Sequence, residues 1–192
     1  MKEKIKNNPL FQKGFNIRYC LLAAACTAAI MTVVYFCYDL APFGDVTILR
    51  MDLYHQYGPL FAELYERVTN LDSFLYSWKS GGGSSFLGNF YNYLSSPLAI
   101  IMVMFGHKNM PEAISAMIFL KSVIASFTFA YFLSKKHKTQ TPLVSAFGVL
   151  YACSGYFIAY YWNVMWIDAF YLFPLVMLGI EMLIKERKMK LY

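Results

Sequence analysis

The amino-acid sequence predicts an all-α polytopic membrane helix bundle of about four spans, with a long outer loop containing interfacial helices. Three observations predict it. Of the 192 residues, 58% are hydrophobic and only 15% charged, against roughly 25% charged in soluble domains. The apolar residues fall in blocks long enough to cross about 30 Å of hydrocarbon at 1.5 Å per residue. The basic residues cluster at the ends of those blocks, where they set topology. The net charge of +6 is therefore read as orientation rather than as affinity for nucleic acid.

In chain order, residues 1–18 form a basic N-terminus with Lys2, Lys4, Lys6, Lys13 and Arg18. The apolar run at 19–41 exceeds the roughly 7–15 residues of a signal-peptide core, which predicts an uncleaved transmembrane helix. Further spans are expected at 112–134, 143–162 and 167–184. The stretch Leu94 to Phe105 is too short to span and suits an interfacial or re-entrant helix. With four spans, three basic clusters share one side: the N-terminus, Lys135-Lys136-His137-Lys138, and the tail beginning Lys185-Glu186-Arg187-Lys188. A fifth span would place two of them outside, against the positive-inside rule. The expected topology puts 42–111 outside, 135–142 in the cytoplasm, a short outer turn near 161–168 within 143–184, and 185–192 in the cytoplasm. Cys20, Cys26, Cys37 and Cys153 form no CxxC pair and lie in apolar segments. They are read as small apolar residues.

The loop opens with Pro42-Phe43-Gly44-Asp45. Leu53, Tyr57, Leu60, Leu64 and Val68 recur at helical spacing, which predicts an amphipathic helix from Met51 to Val68, interrupted by Pro59. Trp78 to Ser85, with three consecutive glycines, is expected to be a flexible turn. The segment Phe86 to Tyr93 interleaves aromatic residues with Asn89 and Asn92. Tyrosine and tryptophan favour the membrane–water boundary, which places the loop on the outer surface.

Several residues carry candidate chemistry. Asp45 and Asp52 lie shortly after the first span, where a carboxylate can act as a general base, hold a divalent cation or steer a hydroxyl. Alternatively each is a solvated loop acid, and Asp52 caps the helix that follows. His55 and Gln56 would share a helix face with Asp52. Two ligands at Asp-x-x-His spacing are a weak metal signal, and plain polar decoration is the competing reading. Asp168, close to Trp162 and Trp166, suits sugar stacking or an aromatic belt with a helix-start charge. Lys121 lies within a span, where a buried amine is a functional candidate unless its stem snorkels. Gly81-Gly82-Gly83 lacks the ending of a phosphate loop, and HExxH, GxSxG and Walker A motifs are absent.

Runs of residues resemble a known family. They are Gly44-Asp45, then Met51-Asp52-Leu53-Tyr54-His55-Gln56-Tyr57-Gly58-Pro59, Tyr76-Ser77-Trp78, Gly81-Gly82-Gly83, Asn89-Phe90 and Tyr93-Leu94-Ser95-Ser96-Pro97-Leu98. Phe119-Leu120-Lys121, Asn163-Val164-Met165-Trp166-Ile167-Asp168 and Leu172-Phe173-Pro174-Leu175 continue the series. In this order they resemble the start of the bacterial YfhO family of membrane proteins. The resemblance implies the N-terminal part of a GT-C-type membrane glycosyltransferase, since family members are several times longer. Such an enzyme takes a sugar from a polyprenyl-phosphate donor and passes it to an envelope polymer such as lipoteichoic acid. By the same resemblance, Asp52 or Asp45 matches the essential acid of the first outer loop and Asp168 the polar group of the next. Asp52 would then deprotonate or orient the acceptor hydroxyl, and Lys121 would attract the leaving phosphate. Asn89, Tyr93 and Trp166 would line the sugar site, and Gln56 would hydrogen-bond sugar. A divalent cation remains open as a cofactor, nucleic acid is not expected as a partner, and the bacterial plasma membrane is the expected location. The alternatives are a transporter or flippase for lipid-linked sugars, and a non-catalytic envelope assembly partner.

Overall fold

Long uninterrupted apolar runs leave the backbone only one way to satisfy itself in lipid, and the computed structural model, which describes residues 14–187, is helical through them. Four helical stretches are long and apolar enough to cross a membrane: Ile17–Cys37, His107–His137, Pro142–Tyr160 and Val164–Lys185. The element order is α1 (Ile17–Cys37), a π-helical turn (Leu53–Tyr57), α2 (Gly58–Asn70), β1 (Tyr76–Ser77), β2 (Ser84–Ser85), α3 (Phe86–Asn89) and a second π turn (Phe90–Leu94). Then follow α4 (Ile100–Phe105), α5 (Met110–His137), α6 (Pro142–Ala152), α7 (Gly155–Tyr160) and α8 (Val164–Glu186). The chain is thus an all-α multi-pass membrane protein whose described residues include only one two-stranded ladder.

Two details differ from the sequence expectation. The first helix closes at Cys37 rather than residue 41, because Asp39 takes a left-handed conformation at φ 51°. The third span is broken at Cys153-Ser154, so α6 and α7 are separate helices. Leu94–Phe105 holds a π turn, a 3-10 turn and the six-residue α4, none of which is long enough to span.

By contact, the chain divides into two units. Among the described residues, one holds the stretch up to Val33, Phe119–Ala159 and the stretch from Ile167; the other holds Val34–Ile118 and Tyr160–Trp166. In the first, helices approach closely through small residues. A Cβ at Gly148 of α6 would lie 2.7 Å from the Ser126 carbonyl oxygen of α5 and 3.0 Å from the Ala23 Cβ of α1. Small residues permit the close approach through which membrane helices gain packing energy. Interhelical hydrogen bonds add to it. Ser145 Oγ donates to the Tyr19 carbonyl at 2.7 Å, and Thr128 Oγ1 to the Tyr171 carbonyl at 2.8 Å. The rings of Phe129, Tyr151 and Phe170 stack in series at 4.3 and 4.2 Å. Leu21, Val33, Leu150 and Phe173 remain exposed, as lipid-facing positions of a span do.

In the second unit the expected single amphipathic helix is two pieces. The π turn comes first, and Pro59 sits in the opening turn of α2 rather than kinking its interior. There its missing N–H costs nothing. The buried row accordingly runs Leu53, Tyr57, Phe61, Leu64, while Val68 is exposed. Arg67 anchors the segment beyond α2. Its guanidinium pairs with Glu63 at 2.6 Å, donates to the carbonyls of Ser73 and Tyr76, and lies 4.2 Å from the Phe86 ring centroid. The glycine run closes a short hairpin, with Tyr76 opposite Ser85 and Ser77 opposite Ser84. At Gly83, with φ +122°, a Cβ would fall 1.8 Å from the Tyr76 hydroxyl. Only glycine fits there.

Candidate functional site

The geometry around Asp52 begins with backbone strain. Met51, exposed and not glycine, has φ 47°, a conformation that is uncommon for such a side chain and concentrates at functional sites. The π turn Leu53–Tyr57 follows at once, and π turns too concentrate at functional sites. Asp52 stands at the junction, exposed, and its carboxylate makes no capping hydrogen bond. The capping role open from sequence is therefore absent. Asp52 makes no ion pair or side-chain hydrogen bond among the described residues, and neither does Asp45, exposed in the bend before Val46.

The turn after Asp52 is fixed from its far end. Tyr57, 1% exposed, donates its hydroxyl to Asn163 Oδ1 at 2.6 Å. Asn163 is itself buried, just before α8. The Tyr57 ring also meets Tyr93 edge-on at 5.7 Å. Trp166 packs near Tyr160 at 5.4 Å and stays partly exposed. Burial raises the Tyr161 hydroxyl pKa, opposed by the nearby charge of Arg50. The residues flanking Asp52 on both sides, Arg50 and Tyr57, are thus each linked to the segment 160–166.

His55 and Gln56 go elsewhere. A π turn stands where a regular helix was expected to put Asp52, His55 and Gln56 on one face. His55 and Gln56 line a cavity of about 500 Å³ together with Glu66, Lys79, Ser80 and Asn89, and Asp52 is not part of its lining. Lys79 pairs with Glu66 beside it. Its hydrogen bond holds the Glu66 carboxyl below the ordinary value, against a smaller opposing effect of burial.

Lys121 and Asp168 belong to the other unit, and there they meet. Lys121 Nζ lies 2.9 Å from Asp168 Oδ1, with the lysine side chain fully buried and the carboxylate 18% exposed. The lysine does not snorkel. Its charge is balanced by an acid at the fifth residue of α8.

Among the described residues no cluster of three or more His, Cys, Asp or Glu is positioned to hold a metal ion. The Asp52–His55 spacing gathers no further ligand. Sequence reasoning missed Tyr57 and Asn163, though both lie inside the quoted runs. Their contact joins positions 106 residues apart, which no local spacing reveals.

A family model described as "Bacterial membrane protein YfhO" matches residues 23–192, most of the chain. No curated protein matches the chain, and no solved structure matches it.

Proposed function

The chain belongs to the bacterial YfhO membrane protein family, and from that premise we propose that it carries the acid-bearing part of a glycosyltransferase acting in the bacterial cell membrane. The donor is a sugar on a polyprenyl phosphate, and the acceptor is a hydroxyl of an envelope polymer of the lipoteichoic acid kind. The N-terminus lies in the cytoplasm and the segment with Asp52 faces outward. The acceptor oxygen attacks the anomeric carbon, the bond from that carbon to the phosphate oxygen breaks, and polyprenyl phosphate leaves with the electron pair. Asp52 takes the acceptor's proton. The configuration at the anomeric carbon inverts.

One observation carries this reading. Asp52 is an exposed carboxylate with no capping or pairing role, set between a strained residue and a π turn. A general base needs a free carboxylate within reach of a hydroxyl. Lys121 is engaged already by Asp168, so any charge it lends to the leaving phosphate comes from within an ion pair. Asp52 is therefore the centre of the reading.

The test uses membranes carrying the family protein, supplied with radiolabelled polyprenyl-phosphate sugar. Asp52→Asn should cut polymer labelling at least 100-fold, in line with loss of a general base worth about 10²–10⁴. Unchanged labelling in Asp52→Asn overturns the base role. A flippase, whose case is the buried Lys121–Asp168 pair, would instead move the lipid-linked sugar across the bilayer without releasing it.

A further inference from the structure

We propose that the groove at the end of α5, beside the start of α1, binds an anionic phospholipid. The lipid phosphate sits on Lys135 and an acyl chain runs along Tyr131 and Phe127. The site is independent of the sugar-transfer reading. The strap before α1 builds it. The Gly14 N–H donates to the Lys138 carbonyl at 2.7 Å, and the next ring, Phe15, meets Tyr131 edge-on at 5.5 Å. Lys135 Nζ lies 3.7 Å from the Phe15 ring centroid and 5.5 Å from that of Tyr131. The ring faces attract the ammonium but offer no oxygen to its three N–H donors. Lys135 is exposed and has no carboxylate or carbonyl partner among the described residues. Its neighbour differs, since Lys136 lies 3.9 Å from Glu181, which Lys185 also engages. The unmatched charge held in place by two rings is therefore that of Lys135.

Beyond the ammonium the surface turns apolar. Lys135, Tyr131 and Phe127 follow one another at four-residue steps, so they share one face of α5 over about 12 Å of its length. Phe127 and Tyr131 stack at 6.3 Å with 13° between their planes. Both pack, partly buried, on the cluster formed by Cys20, Ala23, Ala130 and Val144. The stretch His107–His137 is long and apolar enough to span. In a bilayer this row therefore meets acyl chains, with Lys135 at the level of the headgroups. A cation above a strip of rings complements a molecule that is negative at one end and apolar below it. A soluble anion would use the ammonium alone. A zwitterionic lipid carries its own cation beside the phosphate and gains less from Lys135.

The experiment titrates the full chain in detergent micelles with phosphatidylglycerol or phosphatidylcholine of identical acyl chains, and native mass spectrometry counts bound lipid. Phosphatidylglycerol should bind about fivefold tighter, the effect of one lysine at an anionic surface. Lys135→Gln should abolish that preference, and Lys135→Arg should keep it. Lys138→Gln, which removes an equal charge from the neighbouring loop, should leave it intact. Phe15→Leu keeps every charge and should weaken phosphatidylglycerol binding by about twofold, the weight of an exposed cation–π contact. That variant reads the ring cradle even if Lys135→Gln were to lower the melting temperature. Excess soluble glycerol 3-phosphate should not displace the lipid. Equal loss in Lys138→Gln and Lys135→Gln overturns the proposal, because diffuse charge would then suffice. No preference in the wild type, unchanged binding in Phe15→Leu, or displacement by glycerol 3-phosphate overturns it as well.

Discussion

The ammonium of Lys121 is fully buried in the middle of α5, and the carboxylate of Asp168 reaches it at 2.9 Å. Removing one partner of a buried pair leaves an uncompensated charge, at a cost of about 3–5 kcal/mol. Removing both costs far less. Asp168→Asn should therefore destabilise the protein more than Lys121→Met/Asp168→Asn together, as thermal melting in detergent would show. Equal melting of the single and double variants would mean that the pair contributes nothing by its charge. Asp52 and Asp168, two of the three acids singled out in the sequence, thus differ in kind. Asp168 is engaged in holding a buried cation, whereas Asp52 is free. Spacing made both visible as acids near the ends of spans. It could not sort them, because the sorting depends on which side chain from a distant helix arrives beside each.

At the scale of elements, Arg67 does for the segment after α2 what no local propensity does. It closes the buried charge of Glu63, takes two carbonyls from a stretch lacking helical bonds, and covers the Phe86 ring. Arg67→Met should cost on the order of 3 kcal/mol by orphaning Glu63, and limited proteolysis should then cut within residues 71–85. Arg67→Lys should recover only part of the loss, because a point charge cannot serve several acceptors in the guanidinium plane. A proteolysis pattern identical to wild type would show that the hairpin stands without this anchor. The spans were legible in the sequence because apolar length is a local property. The amphipathic helix was legible as a stripe, but its π turn was not. A widened turn preserves composition and hydrophobic content, and its far end is tied by Tyr57 to Asn163, a contact that local spacing does not reveal; Gln56 lines a cavity whose lining leaves out Asp52.

For the molecule as a whole, the number of crossings decides which chemistry each polar segment can meet. Four crossings by the four helices long and apolar enough to span would return the chain to its starting side and put the basic residues at the end of α5 and at the end of α8 on the same side of the bilayer. Lys135, Lys136 and His137 close α5, and Lys185 and Arg187 close the described chain. In the proposed topology the positive-inside rule would assign that side to the cytoplasm, and the single crossing before residue 52 would send Asp52 to the opposite face. A donor delivered on a polyprenyl carrier is usable only if its phosphate and this carboxylate share a face. In a variant with Cys20, Cys26, Cys37 and Cys153 replaced, a cysteine introduced at Asp52 should react with a membrane-impermeant maleimide on intact cells. One introduced at Lys138 should react only after permeabilisation. Cys26 and Cys37 are exposed on α1, so a background lacking them is required for the signal to report position. The reverse labelling pattern would place Asp52 in the cytoplasm, where an outward-facing acceptor could not reach it, and sugar transfer to an envelope polymer would have to be abandoned.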